Sequence, residues 1–279
     1  MSKKWLKVAL MVTAIATGTS IQVDAETVLY VPQDDRPVSL QYTVDTAKAA
    51  GMTVLTPPQN LISGKTYKGQ ADQIWNWVEQ NAGRADVMVL STDTLIYGGL
   101  VDSRKHNLPL STLENRLKRI EALKANHKNT RIYGFGTVMR SPRASGGGTE
   151  PSYYADYGPT IFQIAALQDK LDAGTLTQAE TQKLMSLQAS VPVEYLQDWF
   201  SRRQKNMQVN KDLIDEARNG VFAYFALGHD DTSQLSQSAL EGRYLNQYSK
   251  GIPRTQYGSF PGADQLGLLL MARSRTDES

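Results

Sequence analysis

The chain has 279 residues, with 30 basic and 28 acidic side chains, 41% hydrophobic residues and no cysteine. The missing cysteine excludes disulfides, thiolate metal sites and cysteine nucleophiles together. The near-balanced charge argues against a nucleic-acid partner, which would need a basic face to displace phosphate counterions.

In chain order, the first feature is a basic start (Lys3, Lys4, Lys7), then an apolar run near 8–16 and a polar stretch closing on Val23-Asp24-Ala25. This pattern reads as a secretory signal over 1–25, cut after Ala25. Its apolar run falls well short of the roughly 20 residues that span a bilayer. The expectation is therefore a secreted or periplasmic protein whose mature part, 26–279, is a single α/β domain with no integral membrane segment. Losing 1–25 removes three lysines and one aspartate and leaves the remainder formally neutral. Oligomeric state is not legible.

Short apolar segments rich in β-branched and aromatic residues then recur: "TVLYVP" (27–32), "MTVLTP" (52–57), "DVMVLS" (86–91), "RIYGFG" (131–136) and "VFAYFAL" (221–227). Helical periodicity fills the gaps, as in 110–127, where Leu113, Leu117, Ile120 and Leu123 share one face. Strands apolar on both faces and alternating with helices imply a mainly parallel sheet covered by helices. The fold class is thus α/β, barrel-like or, alternatively, a doubly wound open sheet. Ser111 with Glu114, and Thr177 with Glu180, have the spacing of capping boxes. A helical insertion is expected around 159–218, after the loop "SPRASGGGTEPSYYADYGP", which reads as an active-site lid or a disordered connection, its tyrosines Tyr153, Tyr154 and Tyr157 favouring the lid.

Polar residues gather just after the strands. The first strand is followed by Asp34, Asp35 and Arg36, and the third by Asp93, Tyr97, Gly98, Gly99 and Arg104. Thr137 and Arg140 follow the fourth, and His229, Asp230 and Asp231 the fifth. Parallel strands point their carboxyl ends to one side, so acids distant in sequence can converge there. A single aspartate after a strand often caps the next helix. Two adjacent carboxylates repel, and the second asks for a cation, a hydroxyl or a proton. Arg36, Arg104 and Arg140 are either structural counter-charges or clamps for an anionic substrate.

Neither phosphate-loop glycine spacing nor a Gly-x-Ser-x-Gly elbow occurs, so a nucleotide cofactor and a serine nucleophile are not expected. Of the three histidines, His106, His127 and His229, two read as exposed, which leaves too few ligands for zinc. No cofactor is expected, although calcium or magnesium held by Asp34, Asp35, Asp230 and Asp231 stays open, since hard cations favour oxygen.

Several motifs together resemble a bacterial family known as domain of unknown function 4127. They are "DDRP" (34–37), "STDTLIYGGLVDSR" (91–104), "VMR" (138–140), "DDT" (230–232) and "GADQ" (262–265). Their order and spacing match along nearly the whole mature chain. Gln265 stands where the family usually has glutamate, whereas Asp264 is kept. The resemblance also implies that members continue beyond this point, so this chain would be incomplete at its C-terminus. The stretch "FALGHDDT" is similar to the strand-end Asp-Asp of some barrel glycosidases, in which one acid steadies an acetamido group and the other protonates the leaving oxygen.

The functional expectation is an exported carbohydrate-active hydrolase. Its catalytic residues would be Asp230 and Asp231, with Asp34, Asp35, Arg36, Asp93, Tyr97, Arg104, Arg140 and Asp264 binding a carbohydrate or another small polar substrate. Two alternatives are a non-catalytic glycan- or peptidoglycan-binding module and a magnesium- or calcium-dependent phosphate- or carboxylic-ester hydrolase.

Overall fold

A computed structural model describes residues 25–144, 147–231 and 233–277. The expected signal segment therefore lies outside the described residues except for Ala25. Among the described residues, no helix is long and apolar enough to cross a membrane.

Six strands form one all-parallel sheet: β1 (Thr27–Val31), β2 (Thr53–Leu55), β3 (Val87–Ser91), β4 (Arg131–Val138), β5 (Tyr224–His229) and β6 (Tyr257–Pro261). Their order is β2-β1-β3-β4-β5-β6. The sixth strand has no counterpart among the expected ones, because "YGSFP" is short and carries glycine and proline, which weaken a strand signal.

Strand residues alternate between two apolar layers, as a period of two requires. Leu29 and Val31 join Met88, Leu90 and Leu227 in a core completed by helices α2 (Ala71–Asn81), α5 (Leu110–Asn126) and α8 (Val193–Arg218). Val28 and Tyr30 face the other way, towards Ala47 of α1 (Gln41–Ala49) and Leu266, Leu270 and Met271 of α10 (Leu266–Thr276). Helices on both faces of this parallel sheet bear out the α/β class and fit the doubly wound arrangement, the second of the two the sequence suggested. The ground for expecting closure was polar residues after four strands. Those strands, β1, β3, β4 and β5, are immediate neighbours, so an open sheet gathers their ends.

The chain runs outward from β1 to β2, then returns past β1 to begin β3. The carboxyl ends of β1 and β3 thus flank the point where winding reverses, the usual ligand position in such sheets. Helix α5 buries Leu113, Leu117, Ile120 and Leu123 as its periodicity demands. It begins at Leu110 after Pro109, however, and has no side-chain cap, which corrects the Ser111–Glu114 reading. Proline preorganises that first turn and places Ser111 inside the helix. The Thr177–Glu180 capping box is present and opens α7 (Gln178–Ala189). Together α6 (Tyr154–Asp172), α7 and α8 form the expected helical insertion between β4 and β5.

Candidate functional site

The strand ends open into a cavity of about 270 Å³, lined by three aspartates and three arginines together with Lys65, Thr149 and the apolar Leu100 and Val101. After β1, Asp34 is almost fully buried, and its two oxygens accept hydrogen bonds from Arg36, at 3.2 Å from the backbone N and 2.8 Å from Nε. The same guanidinium donates to Asp264 Oδ1 at 2.7 Å, joining the β1 exit to the segment after β6.

After β3, the hydroxyl of Ser91 caps α3 (Thr92–Tyr97), accepting from Thr94 N at 3.3 Å. The neighbouring Asp93 is therefore not needed as a cap. It accepts instead from Thr137 Oγ1 at 2.8 Å, linking the ends of β3 and β4. Burial raises its pKa to about 7, against the Thr137 hydrogen bonds and the charge of Arg104, which lower it. The turn out of α3 explains the glycine pair. Gly98 has φ of 112°, a left-handed value that disfavours any side chain. A Cβ on Gly99 would lie 1.8 Å from Ser63 Oγ. These glycines serve a tight chain crossing rather than a ligand. Beyond them α4 (Leu100–Lys105) carries Arg104, buried at 4% exposure, into an ion pair with Asp230.

After β4, Arg140 donates from Nε to Glu150 Oε1 at 2.7 Å and from Nη2 to Thr149 Oγ1 at 2.6 Å. Glu150 returns to this place because Gly147 and Gly148 adopt φ of 66° and 87°. Buried Arg203 of α8 holds the strand exit from behind. It donates to the carbonyls of Met139 at 2.6 Å and Arg140 at 2.9 Å, and pairs bidentately with Glu241 of α9 (Gln237–Tyr248), both contacts at 2.7 Å.

After β5, where the chain bends at Asp230, the adjacent aspartates part company. Asp230 faces the cavity, and burial raises its pKa, an effect the charges of Arg104 and Arg140 oppose. Asp231 accepts from Ser141 N at 3.3 Å and Ser233 N at 2.9 Å and borders a different hollow beside His229.

Of the residues singled out in the sequence, Asp34, Arg36, Arg104, Arg140, Asp230 and Asp264 line the cavity together. Asp93 lies close enough for its charge to be felt with Arg104 and Asp230, without lining it. Three others are elsewhere. Asp35 accepts from the Tyr67 hydroxyl. Tyr97 stacks on His106 with ring centroids 4.9 Å apart. Asp231 is turned away, as above.

His106 is itself buried, 2.7 Å from Asn206 Oδ1, and burial lowers its pKa to about 4, which corrects the surface reading of two histidines. The lid expectation also changes. Tyr154 is buried against Trp199, and Tyr153 and Tyr157 pack on Tyr195, so these rings anchor the loop to the helical insertion. Sequence reasoning missed Lys65, Thr149 and Glu150 at the cavity. The only available signal was the glycine run before Thr149, which marks a sharp reversal.

No group of three or more His, Cys, Asp or Glu side chains converges on a metal-sized position among the described residues. Asp34 and Asp264 share Arg36, and Asp230 pairs with Arg104. Fold and site together define an α/β protein with a polar, charge-compensated cavity at the carboxyl ends of a parallel sheet. The chain belongs to the family described as Protein of unknown function (DUF4127), whose family model matches residues 28–279. No curated protein matches it.

Proposed function

We propose that the protein is an exported hydrolase acting on small polyhydroxylated, glycoside-like substrates, with Asp230 as its proton donor. The observation that carries this reading is Asp230 itself, facing the cavity with a raised pKa, across from carboxylates held by Arg36. Protonated, Asp230 would give its proton to the leaving oxygen. Asp264 or Asp34, each held by Arg36, would take a proton from the attacking water. Carboxylates and guanidinium groups paired around the cavity suit sugar hydroxyls, which both donate and accept. Arg104 would orient Asp230, and Asp93 would tune that pair through its charge. Asp231 would act one step back, tying the exits of β4 and β5 together.

The test is a screen of the mature chain against chromogenic glycosides and phosphate esters, with Asp230→Asn and Asp231→Asn controls. Glycoside cleavage that falls at least about a hundredfold in Asp230→Asn supports the proposal, general acid catalysis contributing on the order of 10²–10⁴. Cleavage unaffected by that change, or no glycoside cleaved at all, refutes it.

A second reading is favoured by a specific observation: every carboxylate lining the cavity already has a guanidinium partner, as in a binding pocket without turnover. Glycan binding without cleavage, undiminished in Asp230→Asn, would select it.

A further inference from the structure

The charges around the cavity are not evenly shared. On the side built by the β1 exit and the segment after β6, one cation, Arg36, serves two carboxylates, Asp34 and Asp264. The opposite side has the reverse ratio. Glu150 takes Arg140 at 2.5 Å and lies 4.0 Å from Arg104, which also pairs with Asp230. Lys65 is a third cation lining this side and has no carboxylate partner among the described residues. Its Nζ reaches the glycine turn, 3.8 Å from where a Cβ on Gly147 would lie. Three cations thus face Glu150 and Asp230, an excess of one positive charge, and of two while Asp230 holds the proton it would donate.

Arg104 supplies an independent sign that this side is made for a ligand. Its Nε is shut off from solvent and has no hydrogen-bond partner, although the side chain is only 5% exposed. A buried guanidinium N–H without a partner is a standing cost to the empty site. An anionic oxygen beside Arg104 would answer the uncompensated charge of Lys65, and would meet Nε only once the side chain turned that donor towards the cavity. Thr149, which accepts from Arg140 at 2.6 Å and donates its hydroxyl proton to Glu150 Oε2 at 3.0 Å, lines the same wall and holds Arg140 in place there.

We infer that the cavity selects a sugar acid, its ring carboxylate seated among Lys65, Arg104, Arg140 and Thr149 and its hydroxyls turned towards Asp34 and Asp264. This inference rests on the glycoside reading above and narrows its substrate class to ligands with one negative charge. The carboxylate would meet a net positive wall, while a neutral sugar would leave the excess charge unanswered. Because Lys65 is exposed, the attraction it contributes is screened by salt.

The probes are methyl uronides and their neutral partners, glucuronide with glucoside, galacturonide with galactoside and mannuronide with mannoside, measured by calorimetric titration on the mature chain. At low salt at least one uronide binds about tenfold tighter than its neutral partner. That advantage shrinks in 0.5 M sodium chloride and falls below about threefold in Lys65→Met. Lys65 is on the surface, so unchanged thermal unfolding establishes that the variant is folded. Neutral sugars that bind as tightly as the uronides, or an advantage that persists in Lys65→Met, overturn the inference. Cleavage of neutral glycosides dependent on Asp230 would still leave the hydrolase reading standing. If no sugar of either kind binds and none is cleaved, both readings fall.

Discussion

Replacing Asp93 by asparagine tests the electrostatics of the site without emptying it. The native carboxyl is buried at 3% exposure and titrates at about 7, against about 3.9 for an unfolded aspartate. A carboxyl whose folded pKa is raised binds its proton more tightly when folded. Its contribution to stability is therefore complete below about pH 4 and is lost as pH rises towards 7. A difference of about three pH units at 1.36 kcal/mol each amounts to about 4 kcal/mol across that window. Asparagine keeps the shape and an acceptor for Thr137 Oγ1 but carries no proton to lose. Urea unfolding of both proteins between pH 4 and 8.5 should show the wild type losing about 4 kcal/mol relative to Asp93→Asn as pH rises. At pH 4 the variant should be equal or less stable by about 1 kcal/mol, the value of one hydrogen bond. Parallel stability profiles over the whole range would refute the assignment of a buried, proton-retaining acid.

Glu241→Ala should destabilise by about 3–5 kcal/mol, because it strands the buried Arg203 guanidinium. The melting temperature should fall by about 6–20 °C, and a fall under 3 °C would show that the clamp behind Arg140 is not intact. Gly98→Ala should cost at least about 2 kcal/mol in chemical denaturation, since alanine is strained at φ of 112° and its Cβ would sit 2.9 Å from Gly69 O. Tyr154→Phe should cost about 1 kcal/mol in the same assay, from the lost hydrogen bond to Pro142 O at 2.8 Å, with no change in cavity binding.

Helices were legible where a periodic apolar face coincided with burial, as in α5, and less so at their ends. Ser111 has the right neighbours for a cap, but Pro109 starts the helix first. Strand β6 was invisible because its glycine and proline are tolerated only by its position at the sheet edge. At the site, aspartates after strands could be read because the fold puts such positions at one end of the sheet. Glu150 and Arg203 could not. A lone glutamate in a loop and an arginine within "FSRRQK" look the same in sequence whether solvated or buried.

By itself the sequence determined the alternation of strands and helices, the parallel sheet and the concentration of acids at strand ends. Each depends on the pattern of residues within a few positions of one another. The tertiary structure alone decided which of those acids meet. Arg36 and Asp264 are 228 residues apart and Arg104 and Asp230 are 126 apart. Asp230 and Asp231, adjacent in the chain, are sent to opposite sides. The side that a carboxylate just past a strand end faces follows from how the backbone bends there. Whether it finds a guanidinium there follows from the sheet order, which no local pattern encodes.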